Sequence, residues 1–319
     1  MKRLILVLTA VLCLLTVTTF PTLAGYPERD ITFIIPHGPG GTFDTYVRAI
    51  SAALERYLPN KINVVPTNMP GANMTRAITA AYRAKPDGYT IAIFDIPGGL
   101  LAQIVGNPRP SYDLSKFTWL ASIGSDQYGL AVNGSSAIKS VEDMKALGRP
   151  VKLTTTGAGT SSYMAAKIAT DIMGIPSSII SGYRGSSEYI IGAIRGDGDG
   201  TIAVLPMLHK YRKSGDLRTI AVLAPTSSVA GVPDAVRLGH PELSLLALHR
   251  LIGAPPGLPE NIRQILEKAL LAAMKDPETV RIMAAAGAEM QPEDGARAAE
   301  ILKASFDFFS RYRHYIPQP

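Results

Sequence analysis

The chain has 319 residues, 46% hydrophobic and 18% charged, with a formal net charge of +6. That composition excludes disordered and collagen-like chains, and the length allows about two domains around a substantial core. The basic residues are dispersed, with no run of five or six and no interleaved aromatics, so no nucleic-acid partner is expected.

Lys2 and Arg3 precede an apolar stretch, Leu4 to Val17, and "TLA" at 22–24 places small residues where cleavage would occur. Residues 1–24 therefore read as a secretory signal peptide. The apolar stretch is short for a membrane anchor. Leu12 is not the small residue that lipidation of Cys13 would want. Removing the leader takes away two bases, lowers the charge to +4 and leaves no cysteine. Disulfides and thiolate metal sites are then excluded from the exported chain. No second stretch is apolar enough to span a membrane, so the mature chain is expected to be soluble outside the cytoplasm. A mild positive charge suits an anionic small ligand.

The periodicity predicts alternating strands and helices. "DITFIIP" is a strand, and from Asp44 onward Val47, Ile50 and Leu54 share a helical face. "INVVP" is the next strand, and Thr75 to Ala84 a helix stopped by the turn "KPDGYT". "TIAIFD" and "GLAVN" are strands, and Val141 to Leu147 is a short helix. "VKLTTTGAGTSS" and "IISGYRGSSE" each pass from strand through glycine to helix, the helices running to Met173 and over Tyr189 to Arg195. "TIAVLP" and "RTIAVLA" are further strands. Glu260 to Lys275 is a strongly amphipathic helix. Two more cover Pro277 to Ala286 and Asp294 to Tyr312, the latter capped by Asp294.

Such alternation implies α/β layers with mostly parallel sheets. No Gly/Ser-rich linker separates two halves, so short crossing strands must join them. "GLAVN" and "RLIGAP", near 128 and 250, are the candidates. One lobe would hold residues 25–127 and 250–319, the other 128–249, with the last three helices returning to the first.

Three glycine-bearing loops, "PHGPGGTFD", "TTGAGTSSY" and "GYRGSSE", each follow a strand and open a helix. Unpaired amides at a helix start carry partial positive charge, and glycine lets an anion reach them. Strand C-terminal ends are also where open α/β sheets bind ligands. The plainer reading is that the glycines only make tight turns. Nucleotide readings fail: Phe43 stands where a dinucleotide fingerprint needs its third glycine, and no phosphate loop exists. The five histidines show no zinc pattern. No nucleophile elbow is present, although His37, Asp44 and Ser161 could be assembled into a triad on paper. "GDGDG" at 196–200 lacks the downstream ligands of a calcium loop. Trp119 is read as core or rim and not as a binding platform. Tyr163 and Tyr183 sit inside the glycine loops and could face a ligand.

Taken together, these motifs make the chain resemble the substrate-binding proteins of tripartite tricarboxylate transporters, the Bug family. The resemblance rests on "YPERDITFIIPHGPGGTFD", "PGA" at 70–72, "PDGYT", "GAGTSSYM", "GYRGSSE", "GAPPGLPENI" and "KDPETVRIMAAAGAEMQP", in that order. It implies a periplasmic two-lobed binding protein of type II-like α/β fold that closes on a small carboxylate. No catalytic residue, metal or cofactor is implied. A monomer that serves membrane transporter subunits is expected. A sensor that reports to a signalling partner, or a secreted hydrolase, is the alternative.

The positions carried over are Gly40, Gly41, Thr42 and Asp44, then Gly159, Thr160 and Ser161, then Tyr183, Gly185 and Ser186. His37, Asp95, Thr156 and Tyr163 complete the candidate site. Departures bear on specificity. Family members often have His where Tyr163 stands, and an aromatic residue where His37 stands. A glycine-rich run is replaced by Asn73, Met74, Thr75 and Arg76. Arg76 could clamp a carboxylate or lie on an exposed helix turn, the preferred reading. Asp95 could repel a second carboxylate or hold an amino or hydroxyl group.

Overall fold

The structure is a computed structural model that describes residues 25–106, 110–286 and 288–316. The expected signal peptide lies outside the described residues. β1 (Ile31–Ile35), α1 (Thr42–Tyr57), β2 (Val64–Asn68), α2 (Thr75–Arg83), β3 (Thr90–Ile96) and α3 (Gly98–Val105) open the chain. A long strand, β4 (Thr118–Asn133), leads to α4 (Val141–Lys145), β5 (Val151–Thr154), α5 (Ser161–Ile172), β6 (Ser177–Ile180) and α6 (Ser186–Arg195). Then come β7 (Gly200–Val204), α7 (Leu205–Ser214) and β8 (Leu217–Leu223). β9 (Ala247–Ala254) precedes α8 (Glu260–Lys275), α9 (Pro277–Ala285), β10 (Glu293–Asp294) and α10 (Gly295–Arg311).

The strand order is β2-β1-β3-β9-β4-β7-β5-β6, with β8 and β10 also on β4. Pairing is parallel where successive strand–helix units build the sheet: β1 with β2 and β3, β5 with β6 and β7. It is antiparallel around β4 and β9. β4 changes partners along its length. Residues 118–127 pair with β9, and residues 128–133 pair with β7 and β8. The sheet therefore has two halves, and the fold is two-lobed α/β.

Helix packing follows the apolar stripe of each helix. Tyr46, Val47, Ile50 and Leu54 are fully buried on one face of α1, at the spacing an amphipathic helix requires. They meet α8, whose Leu266, Ala269, Leu270 and Ala273 are buried in the same core. Each buried Val, Ile or Leu side chain contributes roughly 1.5–3 kcal/mol. α9 also packs on α1, and α10 lies across β4, β9 and α3. All three C-terminal helices thus return to the first half. The terminal turn, Arg313–Tyr315, reaches α5 of the second half, where Lys167 lies 5.3 Å from the Tyr315 ring centre.

Trp119 is 6% exposed and stands edge-on to Phe94 at 5.0 Å, with Phe117 beside both. It is core, as its sequence context suggested.

Candidate ligand-binding site

A cavity of about 660 Å³ lies between the two halves. Its walls come from the loops that follow β1, β2, β5 and β6, from the end of β3, and from Tyr128, Leu248 and Arg250 on the two central strands. Three helices begin at it. Gly41 and Thr42 start α1, Thr160 and Ser161 start α5, and Gly185 and Ser186 start α6. No side chain caps α1 or α6, because Gly41 and Gly185 carry none. Their first amides are left for an outside acceptor. A Cβ built at Gly185 or at Gly41 meets no atom closer than the Gly38 carbonyl oxygen, 3.8 Å from the latter. The glycines therefore leave the approach open and are not forced by crowding.

The α5 loop is different. Thr156, Thr160 and Ser162 form a closed hydroxyl cluster, with oxygens 2.6–3.3 Å apart, and Thr160 Oγ1 accepts from the Tyr163 amide at 3.4 Å. These hydroxyls hold the loop shape. Ser161 is left over, and its Oγ donates to Asp95 Oδ1 at 3.0 Å. The Gly98 amide donates to the same oxygen at 3.3 Å. A Cβ at Gly98 would stand 2.9 Å from Ser161 Oγ and 3.1 Å from Asp95 Oδ1, so only glycine admits this approach.

Of the expected site residues, His37, Gly41, Thr42, Asp95, Thr156, Gly159, Thr160, Ser161, Gly185 and Ser186 line the cavity. Four have other surroundings. Asp44 turns into its own loop, accepting from the Gly40 amide (2.9 Å), Arg48 Nε (2.9 Å) and Asn68 Nδ2 (3.0 Å). The Arg48 hydrogen bond leads in lowering its carboxyl to about 2. Gly40 has φ of +79°, a turn geometry glycine supplies without strain. The Tyr183 hydroxyl donates to Asp197 Oδ2 at 2.5 Å, and its ring fills the space over Gly192. Tyr163 packs against the main core. Arg76 is exposed on the first turn of α2, away from the cavity lining.

The sequence reading missed Arg250 and Tyr128. Arg250 is 3% exposed, donates from Nη2 to Asp126 Oδ2, and sits 4.8 Å from the Tyr46 ring centre. Its Nε has no partner among the described residues, and neither has His37 Nε2. Burial holds the His37 imidazole below its ordinary range, with Asp95 opposing and Arg250 adding. Burial pushes the Tyr128 phenol up, and Asp95 pushes it further. At neutral pH both are uncharged. The only signal for Arg250 was a cation opening the apolar run "RLIGA".

Asn73 and Met74 also line the cavity, in backbone that favours glycine. Ala72, Asn73 and Met74 have φ of +48°, +46° and +70°. Consecutive left-handed residues cost about 1–2 kcal/mol each, and such strain gathers at ligand sites.

The paper triad is not assembled. Ser161 donates to a carboxylate and not to an imidazole, and His37 Nε2 makes no hydrogen bond. Asp95 sits between the other two, 3.8 Å from His37 Nε2, so the serine has no histidine base. Among the described residues no cluster could hold a metal ion and no helix is long and apolar enough to cross a membrane.

Comparison with known proteins follows the same lines. BugT of Bordetella pertussis is 25% identical over 270 residues, covering 82% of each chain. The UPF0065 protein in the TAR-I ttuE-ttuC' intergenic region of Agrobacterium vitis is 25% identical over 297 residues, covering 90% of this chain and 85% of its own. A TctC solute-binding protein from Polaromonas superposes with a TM-score of 0.75 at 20% identity, over 90% of this chain and 98% of that one. MatC from Rhodopseudomonas palustris with bound malate gives 0.72 at 22% identity, over 92% and 100%. An R. palustris protein with adipate gives 0.74 at 22%, over 92% and 98%. Residues 47–306 match the tripartite tricarboxylate transporter family receptor, TctC. The chain belongs to that family, whose members are solute-binding proteins and not enzymes.

Proposed function

We propose that the protein captures a small organic carboxylate in the cavity between its lobes and delivers it, in the periplasm, to the membrane subunits of a tripartite tricarboxylate-type transporter. The observation that carries this reading is the convergence of three helix starts from both halves on one cavity, two of them uncapped. A carboxylate satisfies those amides and meets the positive ends of the helix dipoles. Structural relatives with bound malate and with adipate are in keeping with a carboxylate ligand.

The lobes would be residues 25–127 with the C-terminal helices, and residues 128 to about 246. They would swing where β4 changes partners, between Gln127 and Tyr128, and where β9 begins. Ligand contacts made from both lobes favour the closed form, and a ligand shifts that equilibrium only by its differential affinity.

Thermal unfolding with a panel of mono- and dicarboxylates tests the reading. A ligand at a hundred times its Kd adds about 2.7 kcal/mol. If neutral sugars raise the Tm and no carboxylate does, the reading is wrong.

A further inference from the structure

Resting on the carboxylate reading, we propose that Asp95 makes this cavity selective for a carboxylate that also bears an ammonium group, which it grips through Oδ2. Asp95 is 8% exposed and lines the cavity near the end of β3. Its Oδ1 already accepts from Ser161 and from the Gly98 amide. Its Oδ2 accepts no hydrogen bond among the described residues; His37 Nε2, at 3.8 Å, is too far.

Asp95 has no counter-charge of its own and shares Arg250 with Asp126. Arg250 stands opposite it in the β3–β9 register, but its guanidinium is given to Asp126. The set of Arg250, Asp126 and Asp95 therefore sums to minus one. His37 and Tyr128 are neutral at pH 7, for the reasons of burial given above. Arg184 is an exposed residue at the cavity wall. A buried carboxylate without a counter-charge is costly, and a ligand ammonium supplies both the charge and a donor for Oδ2. A second ligand carboxylate at that point would add repulsion.

Both ligand groups have partners in the one cavity. Ser161 is the first residue of α5 and itself donates to Asp95. The uncapped starts of α1 and α6 line the same cavity as Asp95, so one small ligand can present its carboxylate to those amides and its ammonium to Oδ2.

The test is calorimetric titration of the full chain with matched triplets that differ at one carbon. L-Aspartate, L-malate and succinate carry ammonium, hydroxyl and hydrogen there; L-alanine, L-lactate and propionate repeat the series. The ammonium member of at least one triplet should bind at least tenfold tighter than its two counterparts. In Asp95→Asn, which keeps an acceptor for Ser161, that ratio should fall at least tenfold. If carboxylates bind but the hydrogen or hydroxyl member is the tightest of each triplet, the assignment of Asp95 is overturned and the carboxylate reading stands. If no member binds while neutral solutes do, both fall together. The wild-type comparison decides the matter even if the variant fails to fold.

Discussion

Ser161 Oγ donates to Asp95 Oδ1 at 3.0 Å, tying the first turn of α5 in one half of the sheet to β3 in the other. Both residues are more than nine-tenths buried, at 9% and 8% exposure. A hydrogen bond to a charged acceptor is worth about 1.5–3 kcal/mol. Ser161→Ala should therefore favour the open form. Small-angle scattering of the ligand-free variant should give a larger radius of gyration, and affinity for the best carboxylate should fall by about tenfold or more. An unchanged radius together with unchanged affinity would show that this contact does not govern closure.

Gly41→Val should abolish carboxylate binding while the protein stays folded. The position has φ of −83°, which any residue adopts, and the nearest atom to an added Cβ is 3.8 Å away. Valine is a poor residue at a helix start, so a stability loss of about 1 kcal/mol is expected. Titration calorimetry and urea unfolding separate the two effects. Normal binding would mean that the opening glycines serve only the turn.

Arg250→Met should be strongly destabilising. It leaves Asp126, with 12% of its side chain exposed, without its cation. Removing one partner of such a pair costs about 3–5 kcal/mol. The double variant Arg250→Met/Asp126→Asn should recover at least half of that loss in urea unfolding, since it removes the stranded charge. A double variant as unstable as the single one would assign the cost to lost packing on Tyr46 and Phe43.

Stability should fall as the pH drops from about 6.5 towards 4. Burial lowers the His249 imidazole from its ordinary 6.5 to about 4, with Arg297 and Arg250 adding to the effect. In that window the unfolded chain takes up a proton the folded one refuses, so the folded state is progressively disfavoured. The loss from His249 reaches at most about 3 kcal/mol. His37 shifts in the same direction. Asp44, lowered to about 2, contributes stability that disappears only at still lower pH, so the two windows separate. His249→Gln should flatten the slope of unfolding free energy between pH 6.5 and 4.5, and an unaltered slope would rule out this residue.

Much of this architecture was legible in the sequence, for identifiable reasons. Glu260–Lys275 was found with its true ends because an apolar stripe and flanking prolines agree there. The glycine loops were found because glycine, strand and helix signals coincide. β4 was not: only its last five residues, "GLAVN", read as strand. Its earlier part carries Gly124 at φ +136°, register shifts at 119–121 and 122–124, and the polar run Ser125, Asp126, Gln127. Those features imitate a loop until β9 supplies the pairing. α3 and α7 were missed because they open on Gly98–Gly99 and on Leu205–Pro206, which read as turn and strand end.

The site shows the same division. Backbone positions such as Gly41 and Ser161 can be placed from local pattern. The direction of a side chain depends on distant partners, so Tyr183 was assigned to the ligand when Asp197 holds it elsewhere. Arg250 faces the cavity because of its register with Asp95, a relationship between residues 155 positions apart that no local pattern encodes.

Because one continuous strand furnishes the middle of both halves of the sheet, neither lobe owns a complete set of edges. Separate expression of either would strip the other of the segment on which its hydrogen-bond ladder closes. Melting should then be all-or-none in calorimetry, and a nick between Gln127 and Tyr128 should be tolerated by neither piece. On the proposed reading, the strand that serves as the hinge is also the spine that keeps the protein a single cooperative body.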